Sequence, residues 1–380
     1  MKILFVQKVK ALVGSEKYFL ELIPALEARG IATEFVCIYS QIDKEKTIPF
    51  IEAYQKLGLK LHIQEIKSEK SILKAVRFIK NIHSKGNFDL IHSHLIHADF
   101  WCALLKKIYR IKTPVVSTKH GYDEDYISKH GFNAQHLKAN RYFKICKFSE
   151  KQILKSYAVS NGLRQLFIDA GICKSENIST IHHGFDLGEV NIKPSEAYRK
   201  SPQQLVVLGR IIPFKGHIHL IEALAKVKDE YPAVNLNIVG HGDKDLILHL
   251  KKRITELQLN QNVSFEGYQS NIYDYLGNAD IMVVPSISEG FGLIFLEALN
   301  AKTPIIGFDV PATNEIIEDG VNGLLVALKN EAELAEKIIT LLQSDELKST
   351  FSENGFNKLK KYYSLNRMVD QTIQFYETAL

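Results

Sequence analysis

The residues best suited to chemistry stand in short glycine-flanked segments that follow apolar runs. The most informative is Pro285-Ser286-Ile287-Ser288-Glu289-Gly290-Phe291-Gly292-Leu293-Ile294-Phe295-Leu296-Glu297. Gly290 and Gly292 precede an apolar helical run, and such a helix start offers bare backbone N–H groups and the positive end of a dipole to a phosphate. Glu289 stands at its mouth, and Glu297 lies eight residues later, about two turns into the expected helix. One carboxylate can then reach a sugar while the other reaches a ribose hydroxyl pair. Gly209-Arg210-Ile211-Ile212-Pro213-Phe214-Lys215-Gly216 places two cations five residues apart, a pair suited to a diphosphate and to charge developing on a leaving phosphate. Gly240-His241-Gly242-Asp243 reads as a tight turn that can approach a ligand backbone first, without the third glycine of a dinucleotide fingerprint. In the first half, Ser117-Thr118-Lys119-His120-Gly121 follows a strand, which leaves His120 as a structural residue or a hydrogen-bonding group toward a ligand. Gly14 precedes another helix and offers a second helix start.

These segments need strands to position them. Short β-branched runs alternate with helical patterns along the chain. Strands are expected at Ile3–Val6, Thr33–Tyr39, Lys60–Ile66, Leu90–Ser93, Val115–Thr118, Tyr157–Ser160 and Ile178–His182. After about residue 200 the pattern restarts with Leu205–Leu208, Leu236–Val239, Val263–Phe265, Ile281–Val284 and Ile305–Phe308. Compact apolar strands separated by helices predict parallel sheets covered on both faces, an α/β architecture of two such sheets. In such sheets ligands lie beyond the carboxyl ends of the strands, so an interdomain cleft is the expected site. The polar stretch Asp186–Gln204, with Pro194 and Pro202, is the expected linker. Residues 1–190 are read as one domain, 200–365 as a second, and 366–380 as a helix returning to the first.

Composition narrows the function classes. With 380 residues, 46% of them apolar, the chain is long enough for two full cores. Its four cysteines form no CxxC pair, which argues against a zinc ribbon or a disulfide framework. No apolar run approaches a signal-peptide core or a membrane span. The net charge of +5 hides an asymmetry: residues 1–195 carry 30 Lys+Arg against 19 Asp+Glu, a net of +11, and residues 196–380 a net of −6. One half therefore suits an anionic partner. Lys138, Arg141, Lys144, Lys147, Lys151 and Lys155 recur every three or four residues, which on one helix draws a cationic stripe. Such a stripe is either a solvated face or a docking surface for anionic lipid. No nucleic-acid-binding element is recognisable.

Taken together, the segments resemble the family-four retaining glycosyltransferases, whose GT-B fold has two facing Rossmann-like domains. The Glu-x7-Glu motif is Glu289 and Glu297, and the Gly-Arg…Lys-Gly element is Gly209-Arg210 and Lys215-Gly216. Thr303-Pro304-Ile305-Ile306 and Asn314 to Val326 look like the family's closing signature, and Asp89-Leu90-Ile91-His92-Ser93-His94 and Lys119-His120-Gly121 match short elements of its first half. The resemblance implies that Arg210 and Lys215 bind the donor pyrophosphate and stabilise the leaving nucleoside diphosphate. It implies that Glu289 contacts the transferred sugar, that Phe291, Gly292 and Leu293 offer backbone to sugar or phosphate, and that Glu297 holds the ribose. Gly14 would approach the diphosphate, Gly209 and Gly240 would flank the donor, His120 would sit near the transferred sugar, and Tyr268 lies where the family tends to place the base. Val13-Gly14-Ser15 departs from the family's usual double glycine, and His182-His183-Gly184-Phe185-Asp186 from its Pro-Asn-Gly-Val-Asp.

The substrate so implied is a nucleotide sugar, UDP-linked before GDP-linked, and the acceptor a glycan or a lipid-linked glycan in polysaccharide or glycolipid synthesis. A sugar-nucleotide epimerase of the same fold and a non-catalytic sugar-nucleotide-binding protein are the alternatives. No metal or other cofactor is expected. Asp123-Glu124-Asp125 imitates a DxD motif that belongs to another glycosyltransferase fold, and His92, His94 and His97 lack a carboxylate or cysteine to complete a ligand set. A cytoplasmic location is expected, with the basic half as the part that would meet the inner face of a membrane. Trp101, Tyr122, Tyr126 and Phe132 are candidate stacking surfaces for a sugar acceptor.

Overall fold

A computed structural model describes all residues except 13, 123–125, 128–129, 140 and 189–197, and leaves the side chains of 138–139 aside. Among the described residues, thirteen strands form two parallel sheets. The first has the order β3-β2-β1-β4-β5-β6-β7, built from β1 (Lys2–Lys8), β2 (Ala32–Ser40), β3 (Lys60–Ile66), β4 (Leu90–His94), β5 (Val115–Lys119), β6 (Lys155–Ala158) and β7 (Ile178–Thr180). The second has the order β10-β9-β8-β11-β12-β13, from β8 (Gln204–Leu208), β9 (Asn235–Val239), β10 (Val263–Gly267), β11 (Ile281–Val284), β12 (Ile305–Phe308) and β13 (Leu324–Val326). Each sheet reverses direction of winding once, between β1 and β4 and between β8 and β11. Those are the switch points at which doubly wound sheets bind ligands.

The strands are buried on both faces, which is why they read as near-continuous apolar runs. Ile3 and Phe5 of β1 enter a core with Phe19, Leu22 and Leu26 of the helix Gly14–Ala28. Leu4 and Val6 enter the opposite core with Val76, Ile79, Trp101 and Leu105. The period of two along the strand sends alternate residues to opposite faces. A third core fills the second sheet, with Leu205, Leu224, Leu236, Ile306 and Ile338 among its members. Helix starts are fixed by side chains at their caps: Leu163 donates its backbone N–H to Ser160 Oγ, Leu246 to Asp243 Oδ1 and Leu347 to Ser344 Oγ.

The chain divides into two compact units, Met1–Asp186 with Leu365–Leu380, and Leu187–Ser364. The helix Leu365–Glu377 therefore belongs to the first unit, where Met368, Val369 and Phe375 enter the core around Phe5 and Phe19. Arg29 pairs with Asp370 at 2.7 Å, and the Leu365 N–H donates to the Phe185 carbonyl at 2.9 Å.

The structure corrects several expectations. β6 begins at Lys155 and ends at Ala158, because Ser160 is spent as the cap of the next helix. The basic residues 138–155 do not share one helix: the helix spans only Arg141–Glu150, Lys151 lies in the following turn, and Lys155 is in β6 with its ammonium donating to the Thr378 carbonyl. Trp101, Tyr122 and Tyr126 are buried, so they pack rather than offer stacking surfaces. Asp123-Glu124-Asp125 lies outside the described residues. Among the described residues no helix is long and apolar enough to cross a membrane.

Candidate functional site

Three loops leave the carboxyl ends of the adjacent strands β9, β8 and β11 in the second unit. After β8, Gly209 donates its N–H to the Val239 carbonyl at 3.0 Å. Ile211 N–H then donates to the His241 carbonyl and Asp243 N–H to the Ile211 carbonyl, so the pairing of β8 with β9 continues into their loops. The loops press so closely that glycine is required. A Cβ on Gly240 would lie 1.9 Å from the Gly209 carbonyl oxygen, one on Gly242 2.0 Å from that of Ile211, and one on Gly216 1.9 Å from that of Pro285. Gly216 and Gly240 also hold φ values of +68° and +149°, which disfavour other residues. On the β11 side, Ile287 N–H donates to the Phe214 carbonyl at 2.8 Å.

This stitching brings Lys215 to Glu289. The ammonium donates to Glu289 Oε1 at 2.6 Å, with Lys215 largely buried and Glu289 5% exposed. The pair bridges β8 and β11, at the second sheet's switch point. A lysine ammonium has three donors, so two remain for other acceptors. Arg210 lies half-buried in the same loop. Gly292 caps the following helix at φ +85°, and a Cβ there would lie 2.7 Å from the Phe295 ring and 3.6 Å from Glu289 Oε2. The helix runs Leu293–Asn300, starting just after the glycine pair as expected, but Glu297 does not lie two turns into it. Glu297 is therefore little more than one turn into it, and Glu289 stands in the loop before it. Phe291 is buried against Tyr363, their ring centroids 5.9 Å apart. Tyr268, just past β10, is 72% exposed and meets the His241 ring edge-on at 5.9 Å.

Gly14 and His120 belong to the first unit. Gly14 opens the helix Gly14–Ala28 and is exposed. His120 follows β5, whose end is anchored by Lys119. That ammonium is 4% exposed, donates to Asp99 Oδ2 at 2.6 Å and pairs with Glu150. Burial alone would lower its pKa, but the carboxylates of Asp99 and Glu150 outweigh burial and raise it. His120 shares a 3.1 Å hydrogen bond with His94 and packs against Tyr18 and His183. Burial pushes its pKa down to about 3, with the nearby His92 adding to the effect.

Within the second unit the structure thus brings together Gly209, Arg210, Lys215, Gly240, Glu289, Phe291, Gly292 and Leu293 on neighbouring loops. Sequence reading missed two contributors. His217, 3% exposed, begins the helix after Gly216, and among the described residues neither of its ring nitrogens has a hydrogen-bond partner. Burial and the Lys215 charge hold its pKa down at about 4. The only available signal was its place directly after Lys215-Gly216. The Lys119–Asp99–Glu150 cluster gave no sequence signal, because its members are scattered along the chain.

Known proteins show the same organisation. The family model described as Glycosyltransferase Family 4 matches residues 13–189, and that described as Glycosyl transferases group 1 matches residues 190–358. An uncharacterized glycosyltransferase of Methanocaldococcus jannaschii is 28% identical over 307 residues, 79% of each chain. The phosphatidyl-myo-inositol mannosyltransferase of Mycobacterium tuberculosis is 27% identical over 311 residues, covering 80% of this chain and 77% of its own. The crystal structure of Anabaena HepE in complex with UDP and glucose superimposes with a TM-score of 0.81 at 20% identity, covering all of both chains. Together these matches account for both units: the chain belongs to the family-four glycosyltransferases, retaining enzymes of the GT-B fold that use nucleotide-sugar donors.

Proposed function

We propose that the protein transfers a hexosyl or N-acetylhexosaminyl group from a UDP-sugar to a glycan or lipid-linked acceptor in cell-surface polysaccharide or glycolipid synthesis. The observation that carries this reading is the Lys215–Glu289 pair at 2.6 Å, set among glycine loops at the second sheet's switch point. A cation held beside a carboxylate suits a sugar diphosphate, which has anionic oxygens at one end and hydroxyls at the other. The choice of uridine is supported by HepE, whose crystal structures hold UDP and UDP-glucose.

In this reading Arg210 and Lys215 neutralise the diphosphate as the glycosidic bond breaks. Glu289 accepts hydrogen bonds from the sugar, Glu297 holds the ribose, and Tyr268 meets the base. Gly14, Gly209, Gly240, Phe291, Gly292 and Leu293 present backbone. His120 meets the transferred sugar. The acceptor hydroxyl attacks the face that the diphosphate leaves, and the departing phosphate oxygen takes its proton. Retention then needs no carboxylate on the far face, unlike retaining glycosidases. Rate comes from charge stabilisation and positioning. The basic first half suits an anionic acceptor or an anionic lipid surface, and nucleic acid is not a partner.

Thermal unfolding with UDP, GDP, ADP, CDP and NAD, each with and without EDTA, tests the donor assignment. A ligand that binds only the folded protein stabilises it by about 2.7 kcal/mol at a hundredfold excess over its dissociation constant. The expected outcome is a shift with UDP that is insensitive to EDTA and lost in Glu297→Ala. A shift with NAD alone, or with no diphosphate, overturns it. Incubation with UDP-sugar and glycan acceptors separates transfer from epimerisation, since an epimerase never moves label to the acceptor.

A further inference from the structure

The carboxyl ends of the first sheet carry a second set of polar groups, and these converge on one carboxylate. Lys8 is the last residue of β1, and Lys10 lies two residues on. Glu69 stands in the loop after β3, and His97 in the first turn of the helix Leu95–Tyr109 that follows β4. β1 lies beside β4 at the switch point, the place where doubly wound sheets bind ligands. Lys8 Nζ donates to Glu69 Oε1, Lys10 Nζ lies 3.9 Å from the same oxygen, and His97 Nε2 lies 3.4 Å from Oε2.

The cluster has the make-up of an anion site filled by the chain's own carboxylate. The Lys8 side chain is 2% exposed, but its counterion Glu69 is 42% exposed and Lys10 is exposed as well. The buried ammonium thus lies one side chain below the surface, behind a carboxylate that water reaches. Among the described residues Glu69 Oε1 is the only hydrogen-bond acceptor of that ammonium, which has three protons to give. A buried ammonium without an anion beside it is costly. Burial alone would raise the Glu69 pKa, but its bond to Lys8 and the other basic groups bring it down to about 2. Burial, with Lys8 beside it, holds His97 at about 4, so its ring is neutral and can donate from Nε2. Two ammonium groups against one carboxylate leave the cluster net positive.

The carboxylate also serves its neighbours incompletely. It has two oxygens for three basic groups, so both lysines turn to Oε1, and at 3.9 Å Lys10 is beyond hydrogen-bond reach. A phosphate has an oxygen for each group and carries more charge. Lysine meets phosphate as a point charge, without the planar fork by which arginine matches a carboxylate. The helix Leu95–Tyr109 starts without a side-chain cap, and the positive end of its dipole adds to the same preference.

We infer that Lys8, Lys10 and His97 form a subsite for a phosphate group of the acceptor, which Glu69 occupies as an internal substitute and vacates when that phosphate arrives. The inference rests on the proposed transfer reaction, in which the basic first half meets the acceptor. One anion replaces another, so Lys8 is at no stage left buried alone.

The His97 imidazole resonances of the full-length protein, assigned with His97→Gln, report on the subsite. Inorganic phosphate and glycerol 3-phosphate are titrated at constant ionic strength, with chloride as the control and UDP present to fill the donor loops. Both phosphates are expected to shift the His97 resonances saturably. Lys8→Met is expected to abolish the shift. Lys10→Ala is expected to weaken binding several-fold, and it keeps the test readable should the Met variant fail to fold. Glu69→Gln is expected to tighten binding on the order of tenfold, because phosphate no longer competes with the internal carboxylate. A plain structural ion pair gives no such gain. The absence of a saturable shift in both the wild type and Glu69→Gln, or an affinity that Glu69→Gln leaves unchanged or weakens, overturns the inference. Vesicles of phosphatidylglycerol, set against phosphatidylcholine, separate two sources of the phosphate. Co-sedimentation that Lys10→Ala abolishes places it on a lipid headgroup, and binding of the free phosphates without co-sedimentation places it on a soluble acceptor. UDP binding, measured alongside by calorimetry, keeps the two readings apart. UDP binding with no phosphate effect at His97 overturns the subsite alone, and a phosphate effect without UDP binding overturns the donor assignment and leaves the phosphate site standing.

Discussion

Lys215 shares a single hydrogen bond with Glu289, and each side chain conditions the other. Removing the ammonium takes away charge that the departing diphosphate needs, and it leaves Glu289 buried without that cation. Lys215→Ala is therefore expected to lower the transfer rate on the order of 10² to 10³-fold while the protein stays folded, as read by initial rates and circular dichroism. Full turnover in that variant would sink the assignment. Because the two groups touch, their effects should not add: Lys215→Ala with Glu289→Gln is expected to cost clearly less than the two single losses combined, a comparison made by a double-mutant cycle on kcat/KM. These residues were legible in the sequence because each stands within eight residues of a strand end, where chain order alone dictates neighbourhood. The bond between His94 and His120 was not legible. It depends on strands that pair in space across 26 residues, and the sequence singled out His120 after its own strand and His94 within another segment without linking the two.

At the scale of elements, the donor loops are held by backbone fit. Gly240→Ala forces a Cβ onto the Gly209 carbonyl and should cost about 1–3 kcal/mol through strain, together with loss of UDP binding, because the loop must shift. Asp243→Ala is the matched comparison. It removes the cap of the helix Lys244–Glu256 at a cost of about 1 kcal/mol, yet should leave UDP affinity intact. Calorimetry of both variants with and without UDP checks the contrast; equal affinity in both would break the link between loop fit and donor binding. β11 and β12 were readable to the residue, since compact apolar runs bounded by turns leave little choice. β13 escaped because three residues carry no measurable period. The cationic residues after 137 misled for the opposite reason: a helical spacing continued in sequence after the helix had ended at Glu150.

At the scale of the whole molecule, the first unit carries an unusual load of neutral histidines. Burial holds His92, His94 and His183 well below their usual range and His120 at about 3. In the unfolded chain each takes up a proton near pH 6.5, whereas in the folded one each resists protonation. The unfolded state thus binds more protons as pH falls, and stability declines from about pH 6.5 downward, until the folded rings themselves titrate. Each such ring should remove up to about 2 kcal/mol between pH 6.5 and 5. Denaturant titrations at pH 7, 6 and 5 check the slope; a stability that rose on acidification would contradict the buried cluster.

The tail helix has a consequence for how the chain is born. The first unit's core needs Met368, Val369, Phe375 and Tyr376, which a ribosome adds only after all of Leu187–Ser364. Tyr376 also supplies the hydroxyl that meets His92 Nδ1 at 2.7 Å, so until it arrives that ring nitrogen lacks this partner. The part of the protein that is synthesised first is therefore completed last, while the later-made unit already has its whole sheet and can close during translation.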